Sequence, residues 1–263
     1  MILDSHLHVW DTSEVGVSWL AEAGLPATAC IPDAPEGRQY ILVEADADDP
    51  AREANWLSAV AAEDQRVHGI VACVALENAD ATGELKRIAA IPQVVGVRRL
   101  LQDRDLFQSP GLLHGLRQLA RHGLPFDACV RAHEIPDLVR LLEHVPELTV
   151  VLDHMGKPEP GSRQVMRDWC QNIARFAELP NACCKLSGLP AECRDTAELE
   201  GAVADIIGIA MDHFGPRRCL LGSDQPVSRD VHDWCGRVLS LLPESDQEDV
   251  ASKNALRIYP RRQ

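Results

Sequence analysis

Eight short, nearly continuous apolar runs recur along the chain: 2–7, 40–45, 69–76, 94–100, 125–130, 148–153, 183–186 and 219–222. Unbroken runs, in place of polar and apolar residues alternating, are what parallel strands buried on both faces look like. Between them lie segments with helical spacing. "DDPAREANWLSAVAAEDQ" carries an Asp cap, Pro50 in the first turn and Ala54, Leu57 and Ala61 on one stripe. "PGLLHGLRQLARHG" ends at Gly123, and "IPDLVRLLEHV" opens around Pro136; further helices are predicted near 162–178, 196–214, 231–242 and 244–258. Strand then helix, repeated eight times in 263 residues, predicts an α/β fold, a single distorted (β/α)8 TIM barrel spanning 1–263. A doubly wound open sheet is the competing architecture, but no glycine-rich phosphate loop follows the first run.

With 26 basic and 40 acidic residues the chain carries −14, so its average field repels nucleic acid and anionic membranes. No apolar run approaches the ~18–20 residues that span a bilayer. The nine cysteines are odd in number and form no CxxC pair, and Cys73, Cys129, Cys183 and Cys219 sit inside apolar runs as small hydrophobes. With no leader sequence, these features predict a cytoplasmic location. The partner expected is a small molecule, without nucleic acid or membrane, and the oligomeric state is left open.

In a barrel the chemistry gathers at the C-terminal strand ends. The first run, "MILDSHLHVWD", ends in His6 and His8. Strand alternation predicts Asp4, His6 and His8 on one face and Leu3 and Leu7 on the other. That pair is either a metal or catalytic platform or two buried, hydrogen-bonded histidines. Other runs end in "GVRRL", "CVRAH", "VVLDHMGKP", "CCKLSG" and "LLGSDQP", so basic, imidazole and carboxylate groups recur at one end of the sheet. Asp224 is placed to take a proton from water, the alternative being a helix cap. Alternation puts His154 inward and Asp153 toward the helices, a reading that a one-residue slip would invert. His6, His8, His154 and Asp224 together suit one divalent ion, zinc by ligand type, and the cofactor expectation is no ion or one. Arg98 is the candidate for gripping substrate oxygens, against a salt bridge at the rim; Lys185 and Ser187 share a strand face and are further pocket candidates. Residues 9–39, with Trp10, Trp19, Pro26, Pro32 and Pro35, break the strand–helix rhythm and read as either a cover over the site or a surface excursion.

"DSHLHVWD", "GVRRLLQD", "GLPFDACV", "VVLDHMGKP", "CCKLSGL", "LLGSDQP" and "NALRIY", in this order from residue 2 to about 259, resemble the amidohydrolase superfamily, in the branch containing sugar-lactone hydrolases and 2-pyrone-4,6-dicarboxylate lactonase. The resemblance implies a distorted TIM barrel in which His6, His8, His154 and Asp224 match the first-strand pair, the later histidine and the last-strand aspartate. It implies a hydrolase opening a small lactone, with Asp224 as general base and His6, His8 and His154 polarising the carbonyl. The middle-strand lysine or glutamate of two-metal members has no counterpart, since Arg98, Arg99 and Arg131 stand there, and Gln225 replaces the tryptophan frequent after the last aspartate. The alternatives are a dicarboxylate lactonase, a metal-dependent decarboxylase or hydratase of small acids, a TatD-like nuclease and a barrel that only binds ligand.

Overall fold

The computed structural model describes residues 1–33, 37–228 and 233–261; Pro35 and positions 231–232 of the segment predicted at 231–242 lie outside them. Eight parallel strands follow one another around the sheet: β1 Ile2–Leu7, β2 Arg38–Val43, β3 Val67–Cys73, β4 Val94–Leu100, β5 Phe126–Cys129, β6 Val150–Leu152, β7 Ala182–Leu186 and β8 Cys219–Leu221. The ring closes between its last and first members. Asp224 N donates to His6 O at 2.7 Å, His8 N to Gln225 O at 2.8 Å, and Ser5 Oγ to Leu221 O at 2.5 Å. This sequential, all-parallel, closed order is a (β/α)8 barrel, and the open-sheet alternative falls.

The helices form where the apolar stripes and end signals agree. Asp49 caps Pro50–Glu63 by accepting from Arg52 N, and Pro110–His122 ends at Gly123 in the left-handed region. Arg163–Ala177, Thr196–Phe214 and Trp234–Ser240 occupy the other predicted segments. The 244–258 segment is interrupted by a π turn over Asp249–Lys253. The helix Ala81–Ala89, with Ala81, Leu85 and Ile88 buried on one stripe, was not anticipated; it spans only nine residues. All nine cysteines are free thiols, and no helix among the described residues is long and apolar enough to cross a membrane.

Two apolar layers hold the barrel. Leu42, Ile70, Val97, Phe126, Leu152 and Leu186 pack outward against the helices. Inside, Leu3, Ile41, Val71, Val95, Val151, Cys183 and Leu220 fill the lower barrel, and Ala255, Ile258 and Tyr259 of the last helix plug it from below. At roughly 1.5–3 kcal/mol per fully buried large side chain, these layers supply the main driving force.

One expectation about β1 is corrected. Leu3 belongs to the inner layer and Leu7 to the outer one, so they do not share a face. The pairing of β1 with β2 shifts register between Asp4 and Leu7. That irregularity resets the alternation, turning His6 and His8 into the barrel while the Asp4 carboxylate stays behind to accept from His6 N and Ser223 N.

Asn254, in the "NALRIY" stretch, locks the plug to the barrel: its amide donates to Pro216 O at 2.7 Å and Cys219 O at 2.8 Å. Replacing Asn254 with Ala leaves both carbonyls unpaired in a dry site, and the expected cost is ~1–3 kcal/mol, read as a lower urea midpoint; an unchanged midpoint would mean the clasp carries no stability.

Candidate active site

Three strand ends converge at the barrel mouth. His6 and His8 arrive from β1, His154 from the turn Asp153–Gly156 after β6, and Asp224 from the segment after β8. Asp224 Oδ1 lies 3.4 Å from His8 Nε2, 3.7 Å from His154 Nε2 and 3.8 Å from His6 Nε2. Its other oxygen accepts from Ser228 Oγ at 2.8 Å. The four residues singled out in the sequence therefore face one another, all buried.

The backbone is bent to achieve this. His154 and Asp224 both adopt left-handed φ, +54° and +58°, a conformation that non-glycine residues adopt only where surrounding structure imposes it. The neighbouring glycines explain the close approach. At Gly188, itself at φ +70°, a Cβ would stand 2.4 Å from His154 Nδ1; at Gly222 it would stand 2.6 Å from His6 Cβ. No larger residue fits either position without displacing an imidazole.

Asp153 is a second correction. Regular strand geometry stops at Leu152, so alternation no longer governs the next residues, and Asp153 and His154 both turn inward. Asp153 Oδ2 accepts from Arg98 Nε at 2.8 Å, and Oδ1 lies 3.1 Å from Lys185 Nζ and 3.3 Å from His6 Nδ1.

Of the three residues expected to touch substrate, none projects freely into the mouth. Arg98 is buried, with Nε on Asp153 and Nη1 on Glu44 Oε1 at 2.6 Å. Lys185 is wholly buried one layer below the histidines, donating to Asp127 Oδ2 at 2.5 Å and to His6 Nδ1 at 3.0 Å. Ser187 does share Lys185's strand face and holds His154 Nδ1 at 2.9 Å. Tyr259 Oη completes the network by donating to Asp127 Oδ1 at 2.6 Å. Asp127, Glu44, Ser228 and Tyr259 escaped the sequence reading. For Asp127 a signal existed: a carboxylate in the middle of the apolar run "PFDACV", on the inward parity, needs a buried partner.

The protonation states follow from this crowding. Burial alone would raise Asp224, but the surrounding imidazoles outweigh it and hold its carboxyl well below the usual range, ionised at neutral pH. Burial lowers His154 to about 4, so it is neutral there. Burial, and then the Lys185 ammonium, hold His6 well below the ordinary imidazole range. Burial opposes the charge on Lys185, yet Asp127 and Asp153 more than compensate and keep it an ammonium.

A cavity of about 400 Å³ opens beside the cluster, lined by Leu7, His8, Pro26, Cys30, Pro226 and Ser228 among others. Pro26, Thr28, Ala29, Cys30 and Pro32 come from the long first loop, which therefore walls the site. Among the described residues, none that lines the cavity is Arg, Lys or Glu.

The amidohydrolase family model matches residues 3–261. The chain belongs to the amidohydrolase family. Among curated relatives, this amidohydrolase is 29% identical over 252 residues to an L-fucono-1,5-lactonase of Burkholderia ambifaria, covering 86% of this chain and 81% of that one. It is 28% identical to another L-fucono-1,5-lactonase from Burkholderia multivorans, covering 86% and 82%. An amidohydrolase of Burkholderia multivorans solved with zinc bound superposes with a TM-score of 0.84 at 24% identity over 100% of both chains, a likeness of fold.

The donor set was tested against a single divalent ion. His6, His154 and Asp224 each offer one atom within 4.8 Å of the others, and His8 adds a fourth donor 3.4 Å from Asp224 Oδ1. Ligands about 2.0–2.2 Å from one zinc stand roughly 3.3–3.6 Å apart, close to the observed separations. Imidazole and carboxylate are zinc donors, so the residues fit, provided His6 offers the Nε2 lone pair. A bound ion would polarise a carbonyl or a water.

Glu53, behind Glu44, generates a measurable consequence. Its Oε1 accepts from Ala45 N at 2.7 Å, while Oε2 is buried without a partner among the described residues. Burial, then the Glu44 charge, push it up to about 8. An acid raised in the fold contributes stability fully below its unfolded value and loses it as pH rises through the folded one. Glu53→Gln cannot titrate, so its stability relative to the parent is expected to climb between about pH 4.5 and 8, by an amount of order 5 kcal/mol. Denaturant titrations at pH 5 and pH 9 measure it; equal differences at the two pH values would place the proton elsewhere.

Proposed function

We propose that this amidohydrolase opens a small lactone, a sugar acid lactone in preference to a dicarboxylate, by attack of a water that Asp224 deprotonates. The observation that carries the reading is an ionised, buried carboxylate with one oxygen anchored by Ser228 and the other turned to three imidazoles at the edge of a 400 Å³ cavity. The L-fucono-1,5-lactonases support the substrate class.

In the reaction, water sits against Asp224 Oδ1 and gives it a proton as its oxygen bonds to the lactone carbonyl carbon. Negative charge grows on the carbonyl oxygen, where an imidazole N–H aimed into the site stabilises it. The tetrahedral centre collapses with cleavage of the ring C–O bond, and Asp224 returns the proton to the departing alkoxide. The product is the open hydroxy acid. His154 and His8 orient around the same oxygen of Asp224, and Ser228 keeps that carboxylate from rotating. A metal in this cluster would supply further polarisation of the carbonyl.

Charge separates the two lactone readings. A dicarboxylate calls for converging cations, but Arg98 is taken by Asp153 and Glu44, and Arg99 pairs with Glu77. A neutral polyhydroxy lactone suits the described part of the wall, which carries no Arg, Lys or Glu.

A pH-indicator assay over aldonolactones, including L-fucono-1,5-lactone, and 2-pyrone-4,6-dicarboxylate, with and without chelator, tests the proposal. Acid release is expected from at least one aldonolactone, with Asp224→Asn lower by at least about 100-fold. Turnover of the dicarboxylate alone would reverse the substrate assignment, and near-parental rates for Asp224→Asn would remove it as the base.

A further inference from the structure

Lys185 lies one layer below the reacting groups, and its contact with His6 dictates where a proton sits. An ammonium has three protons and no lone pair, so the 3.0 Å contact between Lys185 Nζ and His6 Nδ1 makes Nδ1 the acceptor. A neutral imidazole accepting at Nδ1 carries its proton on Nε2. The next contact agrees. His8 Nδ1 faces the Val43 carbonyl at 3.0 Å, which can only accept, so the His8 proton is on Nδ1 and its Nε2 is a lone pair. That lone pair meets His6 Nε2 at 3.2 Å. One assignment of protons thus satisfies all three contacts.

Lys185 is not free to withdraw. It is held by Asp127, whose other oxygen Tyr259 Oη occupies, and the ammonium stands 5.7 Å from the Tyr259 ring centre. The opposite tautomer has an acceptor waiting. Asp153 Oδ1, 3.3 Å from His6 Nδ1, is fully buried, faces Lys185 Nζ at 3.1 Å and accepts no other hydrogen bond among the described residues. A carboxylate taking the Nδ1 proton of an imidazole is what turns its Nε2 into a metal ligand.

We propose that Lys185 is a positioning residue that keeps the proton of His6 on Nε2, so that His6 faces the site as a hydrogen-bond donor. A divalent cation recruits His6 only when that proton moves to Nδ1 and onto Asp153. The use of the donor in catalysis rests on the lactonase reading; the location of the proton does not.

The test reads the proton directly. In metal-free, ring-15N-labelled protein, the His6 signals, assigned by their loss in His6→Asn, are expected to show a protonated Nε2 and a bare Nδ1; a protonated Nδ1 overturns the proposal. The double variant Lys185→Met with Asp127→Asn removes one buried charge of each sign and leaves Tyr259 a partner. Its His6 proton is expected on Nδ1, and its zinc affinity, by competition with a fluorescent chelator, about tenfold or more tighter than the parent's. Unchanged or weaker zinc binding overturns the proposal, since a purely structural lysine would lower the melting temperature and alter neither the tautomer nor the ion. If that variant does not fold, the parent spectrum decides alone. A parent that turns over no lactone yet carries the Nε2 proton refutes the hydrolase reading and leaves the tautomer assignment standing.

Discussion

The Lys185 ammonium, enclosed by Asp127 and Asp153 in the middle of the barrel, is the interaction on which the upper half of the molecule depends. Removing a lysine from water costs several kcal/mol, and the attraction of its partners offsets this only when the geometry is close and the remaining lone pairs are satisfied. Here Tyr259 takes the second oxygen of Asp127 and Arg98 one oxygen of Asp153, whose other oxygen faces the ammonium at 3.1 Å. Arg98 brings Glu44 into the same network, so β2, β4, β5, β6, β7 and the C-terminal helix are cross-linked through one set of charges. The apolar layer below gives cohesion, whereas this layer gives register: sliding one strand by a residue would strand an ion in a dry interior.

On that floor stand the histidines and Asp224, and the division of labour between the layers is electrostatic. The lower layer holds its cations against carboxylates, so it delivers little net charge to the mouth. The upper layer holds the ionised Asp224 beside His154 and His6, both held below the ordinary imidazole range. The left-handed turns at His154 and Asp224 are the conformational cost of aiming both groups at one point, and Gly188 and Gly222 provide the clearance.

Much of this was legible in the amino-acid order. The eight apolar runs give the strands, with Ile2–Leu7 and Val94–Leu100 coinciding end to end, because burial on both faces leaves an unmistakable composition. Polar groups at the run ends give His6, His8, His154 and Asp224, because a barrel directs its chemistry to one rim. What was not legible depends on local departures from regularity. A register shift in β1 separates Leu3 from Leu7, and the end of β6 at Leu152 frees Asp153 to turn inward; period-two reasoning has no term for either. Lys185 and Arg98 were read as substrate contacts, since a cation at a strand end has the same signature whether it meets a ligand or a carboxylate from another strand. Asp127, Asp153 and Glu44 lie far from them in sequence, and only the closed barrel brings them together.

Because the ion network fills the barrel beneath His6, a substrate penetrates no deeper than the imidazoles, and its other atoms must be recognised from above. The first loop dominates there. Trp10 Nε1 donates to Pro26 O at 2.9 Å and Trp19 Nε1 to Ala45 O at 2.8 Å, which pins the loop to itself and to the chain beyond β2. The short ladder Trp10–Asp11 with Thr28–Ala29 stiffens it further. A loop fastened by two indole donors presents Pro26, Thr28 and Cys30 to the cavity as a fixed wall. The catalytic candidates are therefore carried by the ring of strands, while one wall of the cavity comes from a segment that the strand–helix rhythm does not include.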